Sequence, residues 1–340
     1  MLLYQNFLTI NEINFKFLFN YNLTGYMELK ENDVKLLRYL MYNGRRPDRQ
    51  IAKELRMSPA IVQYKIRRYE REGIIQGYTY RLNPFKLGYH DVVYFLMKMI
   101  TPQALDLLVN ELMKNPFVTA AFFISGDYDV LIQAFFPSSV ALRNFVNWLG
   151  ELTKDIASTI VSIFAYDTHK MHGICMSEGD MQTIELDEKD HFIIKEKMEN
   201  PPMTIKQISE KLSLHRNTVS SRWNRLWKER AILKKTVLIN QEYYEILGTN
   251  FNTVTFISVE PGFEEKVVEE LTKRPEIHNL TSISYNFNLL AVVMTRSTTT
   301  YQHFIQNLFS IPHVKNSLTN VILSSYRKTL APQKVNYLPP

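Results

Sequence analysis

The sequence is nearly free of cysteine, since Cys175 is the single one among 340 residues. One cysteine excludes an intramolecular disulfide and a zinc site built from cysteines, and both absences are typical of proteins of a reducing cytosol. The apolar start of the chain, residues 1–26, is interrupted by Glu12 and Lys16, so it contains no uncharged run of the roughly 18–20 residues that span a bilayer. It also lacks the basic region of a signal peptide. We therefore expect a cytoplasmic protein without a membrane anchor.

Sequence motifs for catalysis are also missing. The chain has no glycine-rich phosphate loop, no Ser/His/Asp order of a hydrolase and no metal-ligand spacing. The candidate histidines lie far apart and predict no shared cluster: His169, His172, His278, His303 and His313. We expect no catalytic residue, no bound metal, no cofactor and no enzymatic activity.

The net charge of +6 is unevenly distributed along the chain. Residues 29–82 hold 13 lysines and arginines against 6 acids, and residues 186–240 hold 12 against 7. The intervening blocks are acidic, with 6 against 8 in residues 83–170 and 7 against 8 in residues 241–330. Two separate basic blocks predict contact with a polyanion in those blocks alone.

The chain is also similar to itself. A shift of 157 residues aligns the two basic blocks without a gap, placing Asp33 on Asp190 and Val62 on Val219. Beyond them the shift becomes 159, and residues 123–131 align with 282–290. We interpret this as a tandem duplication of a unit of about 155 residues, with an acidic linker between the copies.

The first basic block has the pattern of a winged helix-turn-helix. Residues 30–42 have helical apolar spacing, Asp48 is a plausible N-cap of a short second helix, and Ser58 precedes a third helix. The alternating residues 74–82 predict a small β-wing. The third helix of such a unit lies in the DNA major groove, so its outward residues are the predicted DNA contacts. In the first copy they are Ser58, Pro59, Ala60, Gln63, Tyr64, Arg67, Arg68 and Arg71.

The second basic block repeats the pattern with different outward residues. They are His215, Arg216, Asn217, Ser220, Ser221, Asn224 and Arg225. Gln63 in one copy, and Asn217 with Ser220 in the other, are the predicted base readers, while the arginines hold phosphates. Because the two sets differ, we expect an asymmetric operator with half-sites about one helical turn apart.

The segments between and after the basic blocks predict an α+β fold. Residues 90–168 read as strand, helix, strand, strand, helix, strand, and residues 251–328 give the same order. The order βαββαβ is that of a ferredoxin-like unit with its helices on one face of an antiparallel sheet.

The helix-turn-helix, the exit EGIIQGY (72–78) and the element GDYD (126–129) together resemble the leucine-responsive regulatory protein and asparagine regulator family, Lrp/AsnC. The resemblance implies a transcription regulator bound to double-stranded DNA, and a ferredoxin-like RAM domain that senses an amino acid or similar effector. It implies effector contacts at Gly126, Asp127, Tyr128 and Asp129, although a plain β-turn also explains these residues. The second copy has Tyr285, Asn286, Phe287 and Asn288 instead, so its pocket is either inactive or binds an uncharged molecule.

The predicted domains follow from these patterns: an N-terminal extension (1–28), winged helix-turn-helix units (29–82 and 186–240), RAM-like units (83–170 and 241–330), a linker (171–185) and a tail (331–340). Met27 is an alternative start. The two RAM-like units are expected to form a pseudo-dimer within one chain, and the resemblance implies a homo-oligomer of at least two chains.

Two alternatives for the function remain: a tetrapyrrole enzyme like the sirohaem decarboxylases, which resemble Lrp/AsnC proteins, and a non-specific DNA-compacting protein.

Overall fold

The computed structural model describes residues 29–243, 246–248 and 251–327. The predictions for the N-terminal extension, for a start at Met27 and for the tail 331–340 lie outside these residues. Within the described part, the structure contains two helix-turn-helix units and one central β-structure with helices on its outside.

The first helix-turn-helix consists of three helices: α1 (Glu31–Asn43), α2 (Asp48–Leu55) and α3 (Pro59–Arg71). Val62, Ile66 and Tyr69, which recur at helical spacing on α3, are buried in one apolar cluster with residues of α1 and α2. The prediction for Asp48 was wrong, since this residue is the first of α2 and Pro47 occupies the cap position. The carboxylate of Asp48 instead pairs with Arg45 at 2.7 Å.

The second unit repeats this arrangement with α6 (Glu188–Glu199), α7 (Ile205–Leu212) and α8 (Arg216–Lys228). Val219 and Ile208 are fully buried between the three helices. Trp223 of α8 is half-buried and packs against both this cluster and the larger central core.

The strand predicted as a β-wing after the third helix is present, and its pairing partner lies in the other helix-turn-helix unit. β1 (Ile75–Leu82) pairs antiparallel with β7 (Ile232–Ile239), the strand that follows the third helix of that unit. Thr79 faces Thr236, and these residues are 157 positions apart, which is the repeat distance. A local two-fold axis therefore passes through this ribbon and relates the two helix-turn-helix units, as in an isologous dimer interface.

The central β-structure is a closed ring of eight antiparallel strands. Its order is β2-β4-β3-β11-β8-β10-β9-β5, and β5 pairs again with β2. The strands are β2 (Asp91–Met99), β3 (Val118–Ile124), β4 (Val130–Phe136), β5 (Ala157–Met171), β8 (Phe251–Val259), β9 (Ile277–Ser284), β10 (Leu289–Thr295) and β11 (Val314–Arg327). A two-residue strand, β6 (Ile174–Cys175), extends β5 by a short hairpin.

The ring closes because each half contributes its last strand to the other half. β5 runs from β2 of the first half onto β9 of the second, and β11 runs from β8 of the second half onto β3 of the first. The expected pseudo-dimer is therefore one barrel. Closing the ring in this way removes the unpaired edges that each four-stranded sheet would have alone.

Apolar side chains fill the barrel, and the helices cover its outside. Phe122, Phe256 and Leu290 belong to the interior cluster, which continues into the base of the second helix-turn-helix. On the outside, α4 (Leu105–Lys114) and α5 (Ser139–Thr153) pack on the first half, and α9 (Glu264–Thr272) and α10 (Thr298–Phe309) pack on the second. No described helix is both long and apolar enough to cross a bilayer.

The segment predicted as a linker is docked against its surroundings. The carboxylate of Asp180 is 2% exposed and pairs with Arg230 at 2.5 Å, while its backbone carbonyl accepts a hydrogen bond from Asn83 at 2.9 Å. The ammonium of Lys86 donates to the carbonyl of Gly179 at 2.6 Å. These contacts join the end of the first half to the start of the second.

Candidate nucleic-acid interface and effector turn

Helix α3 exposes a polar and basic face opposite its buried stripe. Ser58 caps it, since its hydroxyl accepts the backbone N–H of Ile61 at 3.2 Å, and Pro59 occupies the first turn, where no N–H is needed. The predicted contacts exposed on this helix are Ser58, Pro59, Ala60, Gln63, Tyr64, Arg67 and Arg71, and Arg68 is half-buried. Tyr64 is 63% exposed, far more than a tyrosine that contributes to a core.

Two predicted phosphate contacts of the first helix-turn-helix are already paired. The guanidinium groups of Arg68 and Arg71 lie 3.3 and 3.4 Å from the carboxylate of Glu72. Surface pairs of this kind contribute about 0.3–0.5 kcal/mol, so a phosphate can replace the carboxylate at little cost.

Helix α8 presents the second predicted set. His215 is its N-cap, and its ring nitrogen accepts the backbone N–H of Asn217 at 3.2 Å, as expected for a capping or surface role. The residues exposed on this helix are His215, Arg216, Asn217, Ser221, Asn224 and Arg225, and Ser220 is half-buried.

A buried aspartate fixes the third helix in each copy. Asp33 on α1 is 1% exposed and accepts hydrogen bonds from the hydroxyl of Tyr69, at 2.6 Å, and from the ammonium of Lys65. Burial alone raises the pKa of Asp33, but these hydrogen bonds outweigh it and the net pKa is lowered. The carboxylate therefore stays charged at neutral pH.

In the second copy Asp190 takes the same position and pairs with two arginines of α8. Arg222 and Arg225 lie 3.0 and 2.5 Å from its carboxylate. Arg225, predicted to hold phosphate, is thus engaged in orienting the helix. Sequence reasoning did not assign this role to either aspartate, although the repeat aligns Asp33 with Asp190 and Lys65 with Arg222.

The predicted effector residues form the turn between β3 and β4, which docks on β11. Gly126 has φ +110°, a conformation that favours glycine, and a Cβ there would collide with the side-chain amide of Asn320. The same amide donates to the carbonyl of Ser125 at 2.5 Å. Asp127 is exposed and Tyr128 is half-buried. The glycine of this turn thus has the structural role that a plain β-turn predicts.

Asp129 also has a structural partner. Its carboxylate accepts the backbone N–H of Met99 at 2.7 Å and lies 3.2 Å from the ammonium of Lys98. In the second half the side-chain oxygen of Asn288 accepts the backbone N–H of Val259 at 2.8 Å. The amide oxygen of Asn288 thus makes the same kind of contact as the carboxylate of Asp129, and each residue fixes the end of a neighbouring strand.

The two turns meet at one end of the barrel. Tyr285 of the second turn lies beside Tyr128 of the first. Burial, followed by the neighbouring Tyr128 and the charge of Asp127, raises the pKa of Tyr285. Tyr128, Tyr285 and Phe287 all pack against the interior cluster. The predicted effector residues of the first half therefore share their surroundings with the aromatic residues that replace them in the second.

Two of the histidines for which no cluster was predicted do lie together. The rings of His172 and His278 are 5.9 Å apart, centroid to centroid, beside a cavity at the other end of the barrel. The prediction failed because these residues are separated by a hundred positions in the chain and meet only where β5 crosses to β9. Among the described residues no group of histidine, cysteine and carboxylate side chains has the arrangement of a metal site.

Comparison with known proteins places these features in a family. The profile of a winged helix-turn-helix DNA-binding domain matches residues 29–76, and that of the Lrp/AsnC ligand binding domain matches residues 253–332. The HTH-type transcriptional regulator LrpA of Pyrococcus horikoshii is 34% identical over 103 residues, which are 30% of this chain and 72% of the relative. The HTH-type transcriptional regulator FL11 of the same organism is 27% identical over 124 residues, 36% of this chain and 82% of its own length.

A solved structure matches the chain over almost its whole length. The siroheme decarboxylase NirDL aligns with 88% of this chain and 93% of its own, with a TM-score of 0.58 and 12% identity. At this identity the likeness concerns the fold alone. The regulators, in contrast, match through sequence, with at least one of them above 30% identity over most of its length. This chain belongs to the Lrp/AsnC family.

Proposed function

We propose that this protein is a sequence-specific transcription regulator that binds double-stranded DNA through α3 and α8 together. The observation that carries the proposal is the ribbon of β1 and β7, because its two-fold axis relates two helices with exposed, basic and polar faces. Dimeric regulators present their recognition helices to successive major grooves with this symmetry. Here one chain supplies both helices.

We further infer that the chain is a tandem duplication. The support is the gap-free shift of 157 residues, the pairing of Thr79 with its repeat equivalent Thr236, and the length of the relatives, which match about a third of this chain each. The domain boundaries predicted from sequence are part of this proposal, with the docked segment 171–185 as the joint between copies. Association of two or more chains is proposed on the family resemblance.

The effector is proposed to be an amino acid or a similar small molecule that contacts the turn 126–129. The exposed carboxylate of Asp127 is a partner for an ammonium group. Titration calorimetry with the twenty amino acids tests this idea. If the first half senses the effector and the second half has only a structural role, each chain should bind one molecule. Two sites per chain would overturn this assignment of roles, and an unchanged affinity in Asp127→Asn would overturn the role of that residue.

The DNA-binding proposal is tested by selection from genomic fragments, followed by measurement of affinity for the selected and for random DNA across a salt series. We expect the selected fragment to bind about 10³-fold or more tightly than random DNA, with a steep salt dependence. Gln63→Ala should weaken binding to the selected site by about 1–3 kcal/mol and relax its specificity at one position. Gln306→Ala, on the exposed face of α10, is the matched control.

The same measurement separates the alternatives. Equal affinity for selected and random DNA would indicate a non-specific compacting protein, and no DNA binding together with sirohaem uptake and a Soret band would indicate a tetrapyrrole enzyme. The regulator is favoured because the relatives that match through sequence are transcriptional regulators, whereas the siroheme decarboxylase matches at 12% identity.

A further inference from the structure

The second helix of the first helix-turn-helix, α2, exposes a row of cations. Arg49, Lys53 and Arg56 are all exposed and recur at spacings of four and three residues, so they lie along one edge of the helix. The other edge faces α1, because the carboxylate of Glu54 accepts a hydrogen bond from the hydroxyl of Tyr39 at 2.8 Å. The row therefore lies away from α1, and its last member stands in the turn that leads into α3.

The three cations of this row have no partner within the part of the chain that the structure describes. Their side chains form neither an ion pair nor a hydrogen bond there, whereas two neighbouring arginines do. Arg45 pairs with Asp48 at 2.7 Å, and Arg46 pairs with Glu54 at 3.2 Å. The carboxylates of α2 are thus engaged by other arginines, and the row is left with three positive charges that can bind an anion from solution.

The second helix-turn-helix has the same backbone at this place but different charges. The repeat aligns the three cations with one lysine, one acid and one neutral residue: Lys206, Glu210 and Ser213. Arg56 and Ser213 both follow their helix in the left-handed conformation, with φ 55° and 52°. Lys206 pairs with Glu210 at 3.9 Å. The aligned edge of α7 therefore has no net charge, since its one lysine is matched by a carboxylate.

We propose that Arg49, Lys53 and Arg56 bind phosphates of the DNA backbone, so that the first helix-turn-helix holds the backbone more strongly than the second. This inference rests on the proposed DNA binding. In helix-turn-helix proteins the helix before the recognition helix crosses the backbone, where basic side chains position the protein without reading bases. The chain thus attaches to one half-site through α2 and α3. In the other half-site α8 reads bases with fewer backbone contacts, among them that of the exposed Arg216.

The test measures the affinity of the full chain for its selected DNA fragment across a salt series. Each phosphate contact contributes about 0.9 to the slope of the logarithm of the binding constant against the logarithm of the salt concentration. The combined variant Arg49→Gln, Lys53→Gln and Arg56→Gln should therefore reduce this slope by about 2.7. The reciprocal variant, Glu210→Lys with Ser213→Arg, transfers the row to α7 and should increase the slope by about the same amount.

Two controls separate local contacts from a general change in charge. Lys114→Gln, Lys154→Gln and Lys273→Gln together remove the same charge from exposed positions at the ends of the outer helices, and should leave the slope unchanged. Arg49→Lys with Arg56→Lys retains the charge of the row and should retain the slope of the parent. Thermal melts of all variants establish that each is folded.

Ethylation of single phosphates locates the contacts on the DNA. We expect interference at more phosphates in the half-site of α3, which is the half-site that loses base discrimination in Gln63→Ala, than in the other half-site. An unchanged slope in the triple glutamine variant, or equal interference in both half-sites, would overturn the inference and leave the proposed regulator in place. A parent that binds all DNA equally, with a slope that the glutamines still reduce, would overturn sequence specificity and support the row. No DNA binding by the parent would overturn both.

Discussion

Lys234 of β7 joins the ribbon to α1 and to the end of β5, because its ammonium donates to the carbonyls of Tyr42 at 2.7 Å and His172 at 2.6 Å. It therefore provides a direct test of the junction between ribbon and barrel. Burial, followed by the charges of Arg81 and Arg46, lowers the pKa of Lys234 to about 7, whereas an unfolded lysine titrates near 10.4. Between these values the unfolded chain binds the proton and the folded chain does not. Stability should therefore increase as pH rises from 7 towards 10.4, by up to about 1.4 kcal/mol per pH unit.

The expected size follows from the two pKa values. Between pH 7 and pH 9 the folded lysine loses its remaining half-proton while the unfolded one stays charged, which amounts to about 2 kcal/mol of unfolding free energy. Lys234→Met removes this contribution. The difference in unfolding free energy between the wild type and the variant should therefore shift by about 2 kcal/mol in favour of the wild type on going from pH 7 to pH 9.

Urea unfolding followed by tryptophan fluorescence at the two pH values measures this difference. Lys154→Met is the control, because Lys154 is exposed and its pair with Glu151 lies on the surface. Its difference from the wild type should be the same at both pH values. A difference for Lys234→Met that changes by less than about 0.5 kcal/mol would refute a neutral, buried lysine and the junction argued from it.

Three further predictions concern single contacts. Asp129→Asn should change the melting temperature little, because Asn288 makes the equivalent hydrogen bond with an amide oxygen; a loss of several degrees would contradict this. Gly126→Ala should cost about 1–3 kcal/mol in urea unfolding, since φ is +110° and a methyl group meets Asn320, and an unchanged midpoint would contradict the turn geometry. Asp33→Asn should cost about 3–5 kcal/mol of unfolding free energy, because it leaves the ammonium of Lys65 without its carboxylate partner. The lowered pKa of Asp33 stabilises the fold above the unfolded pKa, and this contribution is lost as pH falls, so the stability of the variant should depend less on acid pH.

The local elements were predictable from the sequence because their signals are local. The stripe of Val62, Ile66 and Tyr69 needs only helical spacing, and Ser58 followed by a proline needs only the chemistry of a helix start. The βαββαβ order was likewise confirmed in both halves. Short, nearly continuous apolar runs mark the strands β2, β3, β4 and β10, as is typical of strands buried on both faces, and amphipathic spacing marks the helices.

The sequence was less informative about which strands pair and which side chains contact each other. Residues 74–82 alternate as a strand does, but alternation does not state which strand pairs with it, and β7 lies 157 residues further on. The pairing of His172 with His278 depends on the same kind of distant crossing, by β5 onto β9. The family resemblance implied an effector contact at Asp129, and the structure adds that its carboxylate accepts the backbone N–H of Met99 and lies beside Lys98. Such contacts between distant residues are visible only in the packed structure.

The ribbon is symmetric, but the exposed residues of α3 and α8 differ. These two features predict an asymmetric operator, and substitutions in α8 can test this prediction. The repeat places Asn217, Ser220, Ser221 and Asn224 on Ala60, Gln63, Tyr64 and Arg67, so four substitutions give α8 the residues of α3 at these positions: N217A, S220Q, S221Y and N224R. Arg225 is retained because it orients α8 through Asp190.

The converted protein should prefer a palindrome of the half-site that α3 reads, whereas the parent should prefer an asymmetric site. Each bidentate base contact contributes about 1–3 kcal/mol of discrimination, so the preference should move by roughly tenfold or more. Competition between the two DNA fragments measures it, with the parent protein measured on the same two fragments as the reference. If the converted protein still preferred the asymmetric fragment, α8 would not read bases, and the second copy would serve only to complete the barrel and the ribbon.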